Sequence, residues 1–471
     1  MNNTKLIASF TLMILAITLS CTPAIKHPDL SVEKSEQWLA QNEQYAFIDS
    51  AWWSDFDDTM IDSLLAETFK NNYTLQIASA NLEAAEAQKT IAGSGFLPSV
   101  DVSISGSRRE QSLVNFPSFI RNQITNPINT FGVSANVGWE LDLWGRVRNA
   151  HSAAVANFQA TQADFEGYKL SLAAQSIKAW FAAIEAEKQL ELANKNLESY
   201  QLSEERITAR YEKGIRPSLD YRLSRTSVAT AESQLYQRIQ ISELTKRQVE
   251  FILGRYPAAH IALSDGLPQN IKEIPAGIPA DIINRRPDII AAERRLAAAD
   301  CNVSAAKAAL FPSIRLTASG GTSTEDLADI LNMDFSVWSI AAGVVQPIFQ
   351  GGRLRANVKI SEAVRKQAFA SYANTVLTAY AEIESILSSD KYLKKQEAAV
   401  GVAADQALAS EELAEDRYYK GLADIVTLLE ARRQANNAVS QLLTIQRLRL
   451  ENRVDFYVAL GGGVTEQGIS Q

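Results

Sequence analysis

Two kinds of hydrophobic periodicity take turns along this chain. From Val100 to Ser105 apolar and polar residues alternate, so Val100, Val102 and Ile104 fall on one face of an extended segment and Asp101, Ser103 and Ser105 on the other. The segment Ile314–Ser319 does the same. The longest alternation runs from Phe131 to Leu143, with Phe131, Val133, Ala135, Val137, Trp139, Leu141 and Leu143 on one side. Its counterpart places Trp338, Ile340, Ala342 and Val344 on one face. These four segments predict strands with one apolar face and one polar or small face. A strand of about 10 residues with that pattern fits a tilted membrane barrel, and it also fits a soluble sandwich.

The other periodicity is helical. Residues 147–213 contain one glycine, Gly167, and no proline; residues 354–420 contain one glycine, Gly401, and no proline. At 1.5 Å per residue each stretch predicts a helix roughly 100 Å long. Leu170, Ala173, Ile177, Trp180 and Ile184 recur at the three-four spacing of a coiled coil, and the abundance of alanine lets helices approach closely. A second helix returns in each half, over about 218–253 and 423–460. Between the paired helices, Lys213-Gly214 and Lys420-Gly421 suit helix C-caps.

The two halves repeat one another. Pro98 and Pro312 lie 214 residues apart, each followed by serine. Beyond the strands the spacing is 207: Gly145 matches Gly352, Gly214 matches Gly421, and Gly254 matches Gly461. Pro98 and Pro312 mark the bend from helix to strand, Gly145 and Gly352 the bend back. Helices this long decide against a sandwich. Four strands cannot close a cylinder either, because the smallest membrane barrels need about eight. The strands must find partners on other copies, so the pattern predicts a homo-oligomer.

Composition removes several function classes. The chain of 471 residues is 46% hydrophobic and 21% charged, which fits an ordered protein. A net charge of −8 disfavours nucleic acid as a partner. Three histidines and two cysteines suggest neither a zinc site nor a disulfide framework, so no metal or cofactor is expected. No nucleophile–base arrangement or phosphate loop occurs, and the expected protein is not an enzyme. Cys301 reads as an inert buried thiol on a helix.

The N-terminus reads as an export signal. Lys5 precedes an apolar stretch from Leu6 to Leu19, followed by Ser20 and Cys21. A small residue before cysteine after such a core resembles the bacterial lipoprotein signal, although Thr18 stands where leucine is preferred. Cleavage would leave Cys21 as an acylated N-terminus, and several acyl chains anchor a protein stably. An ordinary signal peptide with an incidental cysteine is the alternative. The expected organisation is a lipoprotein signal peptide over 1–20, an N-terminal lipidated segment over 21–60, one repeat over 61–265 and a second over 266–465.

With these elements in place the chain resembles the TolC-like outer-membrane factors, in their lipoprotein (NodT-type) branch. Five stretches carry the resemblance: Trp139-Glu140-Leu141-Asp142-Leu143-Trp144-Gly145-Arg146, Arg286-Pro287-Asp288 with the helix that follows, Ala308-Ala309-Leu310-Phe311-Pro312-Ser313, Gln346-Pro347-Ile348-Phe349 before Gly352-Arg353, and Ala459-Leu460-Gly461-Gly462-Gly463. The resemblance implies an α+β membrane protein: a homotrimer whose chains each give four strands to a twelve-stranded outer-membrane β-barrel, continuous with a periplasmic coiled-coil tunnel. The segment before residue 60 and the linker around 255–280 would join a belt midway along the helices. Outer-membrane lipid, a periplasmic adaptor and an inner-membrane efflux transporter are the implied partners. The implied function is a passive, gated exit duct for small molecules, located in the outer membrane with its tunnel in the periplasm. A porin or receptor that works without a pump is the competing reading.

The resemblance also places function at the two helical turns. Gly214 and Ile215, with Gly421 and Leu422, stand where the adaptor docks. Glu430 stands at the position of a pore-facing gate acid, more often aspartate, and Thr427 where some members carry a second aspartate. Asp220 is the matching acid after the first turn. Three-fold symmetry would turn one carboxylate into a ring of three, constraining cations and raising carboxylate pKa values. Arg210, Arg417, Tyr211 and Tyr418 complete the implied gate. The four charged side chains also fit a solvated face or inter-helix pairing, and the tyrosines fit packing at the turns.

Overall fold

A computed structural model describes residues 52–110, 127–269 and 280–462. Cys21 and the expected signal peptide lie outside the described residues, as does most of the 255–280 linker beyond Gln269. The chain begins with a short 3-10 turn, Trp52–Phe56, then helices α1 (Thr59–Asn71) and α2 (Tyr73–Ser94). Strands β1 (Ser99–Arg109) and β2 (Ile128–Leu141) lead into the long helix α3 (Arg146–Glu212) and its return α4 (Ser218–Ile252). The second half repeats the order with α5 (Pro287–Ala308), β3 (Ser313–Thr322), β4 (Ser336–Val345), α6 (Arg353–Tyr419) and α7 (Ile425–Ala459). Both long helices have 67 residues and both return helices 35. No described helix is long and apolar enough to cross a membrane.

The strands form one antiparallel sheet in the order β1-β2-β3-β4. Strand β2 stops at Leu141, two residues before the alternation in the sequence ends, because Asp142 has another task. Its carboxylate accepts the backbone N–H groups of Val147 at 2.9 Å and Arg148 at 2.7 Å, satisfying the free donors at the start of α3. The rest of that motif builds the same corner. Arg146 pairs with both oxygens of Glu140, Trp144 donates to Pro312 O at 2.7 Å and stacks on Phe311, and Gly145 turns the chain at φ 75°. Helix α7 begins at Ile425, two residues later than the pattern suggests, because the Asp424 side chain caps it by accepting the Thr427 N–H.

Strands β2 and β3 approach unusually closely. A Cβ at Gly321 would fall 1.9 Å from Val133 O, whereas one at neighbouring Gly320 would meet nothing within 4 Å. Gly321→Ala is therefore expected to break the β2–β3 ladder, and Gly320→Ala to be tolerated. Limited proteolysis of the two variants checks this; equal resistance of both would contradict the close approach.

Helix α3 is the spine of the helical part and packs against α2, α4, α5 and α7, while α6 packs against α5 and α7. Midway along it Ile177, Trp180, Phe181, Ala183 and Ile184 are all buried. The segment before residue 60 comes to this level. Trp52 stacks on Tyr457 with centroids 5.1 Å apart, and Phe56 meets Phe181 edge-on at 5.2 Å. Asp58 accepts from Trp180 Nε1 and from Ser264 Oγ, both at 3.0 Å, drawing the described part of the linker to the same place. Nearby, buried Glu250 closes the end of α4. It accepts the N–H groups of Ala259 and His260, both at 2.7 Å, and these bonds hold its carboxyl below the usual range against the opposing effect of burial. Arg286, in the second motif, pairs with Asp288 and Glu382 and donates to Ala459 O at 3.1 Å, tying the start of α5 to the end of α7. Cys301 is only half-buried on α5, and burial, with Asp300 beside it, pushes its thiol up.

Candidate functional site

The end of the helical part farthest from the strands is built by two turns of one design. At the first, Gly214 donates to Tyr211 O at 2.8 Å and Ile215 to Arg210 O at 2.9 Å, with Gly214 at φ 69°. At the second, Gly421 donates to Tyr418 O at 3.0 Å and Leu422 to Arg417 O at 2.9 Å, with Gly421 at φ 76°. The bond that spans five residues and the left-handed glycine together make a Schellman cap. Each turn leaves an aliphatic side chain in solvent: Ile215 and Leu422 are both exposed.

Behind the turns the two hairpins lock together. Tyr418, at the end of α6, is fully buried, and its hydroxyl donates to Asp220 Oδ2 at 3.1 Å. Asp220 is itself buried in the first turn of α4. Arg216 closes the cluster. Its guanidinium lies 4.4 Å from the Tyr418 ring centre, donates to Tyr418 O at 2.9 Å and approaches Asp220 to 3.8 Å. Burial, reinforced by the Asp220 charge, pushes the Tyr418 hydroxyl up to about 12. It therefore keeps its proton at neutral pH and remains a donor. Ile207, Ala414, Ile425 and Leu428 pack around Tyr418 as an apolar plug.

Asp220 and Tyr418, two of the sequence-predicted residues, are thus brought into direct contact. The others are placed apart. Tyr211 stacks on Tyr221 with centroids 5.0 Å apart, beside the first turn. Arg210 lies over the Tyr419 ring at 5.4 Å. Arg417 contributes its carbonyl to the second turn. Thr427 has both its N–H and its hydroxyl committed to Asp424. Glu430 is paired along its own helix with Arg433 and Gln434, and these partners hold its carboxyl below its ordinary value. Within one chain its shift is therefore opposite to the rise that a ring of like charges would cause.

Two contributors escaped the sequence reading. Arg216 stands four residues before Asp220, an i,i+4 spacing that could have flagged it. Arg432 had no local signal. It is buried on α7, donates to Ser203 Oγ at 2.7 Å on α3, and lies 3.1 Å from Glu415 and 3.5 Å from Glu411 on α6. One buried guanidinium so joins three helices two turns above the tip.

A sequence profile described as "Outer membrane efflux protein" matches residues 64–254 and 278–462. The chain is 30% identical to "Outer membrane protein OprJ" of Pseudomonas aeruginosa, over 96% of this chain and 95% of that protein. It is 28% identical to "Pyoverdine export outer membrane protein OpmQ" of Pseudomonas putida, over 96% and 97%. Among solved structures, the CmeC outer membrane channel of Campylobacter jejuni aligns with a TM-score of 0.84 at 26% identity, covering 94% of this chain and 96% of that one. The open state of the Neisseria gonorrhoeae MtrE outer membrane channel aligns at 0.81 and 28% identity, covering 94% and 98%.

Proposed function

We propose, from the premise that this chain belongs to the outer membrane efflux protein family, a trimeric exit duct whose periplasmic end is held shut by the buried contact between its two helical hairpins. The family places the protein in the outer membrane as the channel component of an efflux pump, and such channels are not enzymes. They work with an adaptor and an inner-membrane transporter. Three copies would supply twelve strands to one barrel, and the matched halves of the chain would act as two repeats of one strand–helix unit. Cys21 would carry the lipid anchor. Gly214, Ile215, Gly421 and Leu422 would meet the adaptor, and Glu430 would face the pore, with Arg210, Arg417, Tyr211 and Thr427 shaping the same opening. Cargo passes down a gradient supplied by the transporter, and the duct's own contribution is to open and close.

The observation that carries the gate is the Tyr418–Asp220 hydrogen bond. It is buried, it joins residues 198 positions apart, and it sits directly behind both turns. A buried hydrogen bond to a carboxylate contributes on the order of 1.5–3 kcal/mol, enough to shift a balance between closed and open tips by about tenfold or more. Purified trimers in a planar bilayer, without adaptor, are expected to pass only small, infrequent currents. Free conduction under those conditions would instead support a porin that needs no pump.

A further inference from the structure

Strands β1 and β4 are the two edges of the sheet, and neither outer edge has a partner among the described residues. Both edges alternate so that one face is apolar: Val100, Val102 and Ile104 on β1, and Trp338, Ile340 and Val344 on β4, all exposed. The trimeric barrel proposed above requires β4 of one copy to pair with β1 of the next, but it does not say in which register.

The sheet supplies that register. Adding 214 to a β1 position and 207 to its β2 partner gives an observed β3–β4 pair: Ser99↔Gly138 becomes Ser313↔Val345, and Ile104↔Val133 becomes Ala318↔Ile340. Side chains obey the same rule. Trp139 Nε1 donates to Phe96 O at 3.0 Å, and Gln346 Nε2, 207 residues on, donates to Leu310 O, 214 residues on, at 3.2 Å. The two hairpins are geometrically equivalent. The junction between them is the β2–β3 ladder, running from Leu141↔Ile314 to Ser134↔Gly321.

We propose that the seam between copies repeats the β2–β3 junction, so that β4, continued by the three residues after it, pairs with β1 of the neighbouring copy as Ile348↔Val100, Val345↔Ser103, Val344↔Ile104 and Ala341↔Ser107. The positions follow by adding 207 to each β2 residue and subtracting 214 from its β3 partner. Their chemistry agrees. Val344 and Ile104 meet on the lipid face, Val345 and Ser103 on the other, and a slip by one residue would oppose Val344 to a serine. Pro347, which has no N–H, falls near the end of the ladder, where a missing donor is tolerated. The register also gives Ile348, 90% exposed in the single chain, a covering partner in Val100.

Disulfide formation tests the register in the full chain, with Cys301→Ala removing the thiol on α5. Within one copy β1 and β4 are separated by two strands, roughly 14 Å at about 4.8 Å per step. A bond between positions 103 and 345 must therefore join two copies. On oxidation, Ser103→Cys with Val345→Cys is expected to give at least ~10-fold more covalently linked trimer than Ser105→Cys with Val345→Cys, because a two-residue diagonal lies beyond the usual disulfide span of about 4.4–6.8 Å between Cα atoms. Ala341→Cys with Ser107→Cys reads the same register at the other end and serves if the first pair disturbs folding. Amine crosslinking of the same samples reports trimers whatever their register. Trimers that link through 105–345, or through neither pair, would overturn the register and leave the trimer standing. Absence of trimers from the parent protein would instead remove the reading on which the register rests.

Discussion

Gly421→Trp, alone or with Gly214→Trp, is expected to abolish efflux while leaving the protein folded, trimeric and in the outer membrane. The two effects separate because of what each glycine touches. A Cβ at either position meets nothing within 4 Å, so no packed neighbour is displaced. The backbone cost is the left-handed conformation, about 1–2 kcal/mol per residue. In a structure anchored by two 67-residue helices that strain is local. The surface offered to a partner changes completely, because an indole would stand beside Leu422 or Ile215 where the turn is bare. Losing even about 1.4 kcal/mol of docking is roughly tenfold in affinity. Cells relying on the variant should tolerate roughly a tenth or less of the toxic efflux substrate that wild-type cells tolerate, that tenfold loss of docking carried through to export. Unchanged tolerance at equal protein level would show that the turns are not the docking surface.

Tyr418→Phe and Asp220→Asn are expected to leave the tip ajar. Removing the hydroxyl deprives a buried carboxylate of a hydrogen bond, which costs about 1–3 kcal/mol, and leaves Arg216 at 3.8 Å as its remaining close partner. Asp220→Asn keeps the shape but takes away the charge that both Tyr418 and Arg216 face. Each variant should raise the resting conductance of purified trimers and admit compounds that the closed duct excludes. The double variant should be little worse than either single one, since both break one contact. Additive effects would mean that the two side chains act separately. The acidity of Tyr418 sets a further sign. Its hydroxyl is held up to about 12, from about 10 in the unfolded chain. The folded tip therefore retains the proton longer, and its stabilisation is fully present below about pH 10 and is lost as pH rises through about 12. Titration of Tyr418 leaves the closed state untouched across the neutral range.

Local rules made much of the architecture legible. Both long helices start within one residue of their expected positions, because a Gly-Arg step begins each and a Lys-Gly step ends each. The errors are instructive at the same scale. Strand β2 ends early, and α7 starts late, because Asp142 and Asp424 turn from continuing their segments to capping helices. A side chain's choice between strand and cap depends on where the next N–H groups point, which hydrophobic alternation does not record.

The candidate site was legible only in part. The family resemblance named Asp220 and Tyr418 by their places beside the turns, but not as a bonded pair. Arg216 needed the Tyr418 ring to give it a role, and Arg432 needed Ser203, Glu411 and Glu415, which lie on two other helices. What the sequence determined by itself is what acts within a few residues or repeats at a fixed spacing: strand faces, helix lengths, glycine turns and the offsets of 214 and 207. The tertiary structure alone decided which charges are buried and against what. Burial and pairing arise when α3, α4, α6 and α7 pack side by side, and the Tyr418–Asp220 bond spans 198 residues, a separation across which no periodicity carries information.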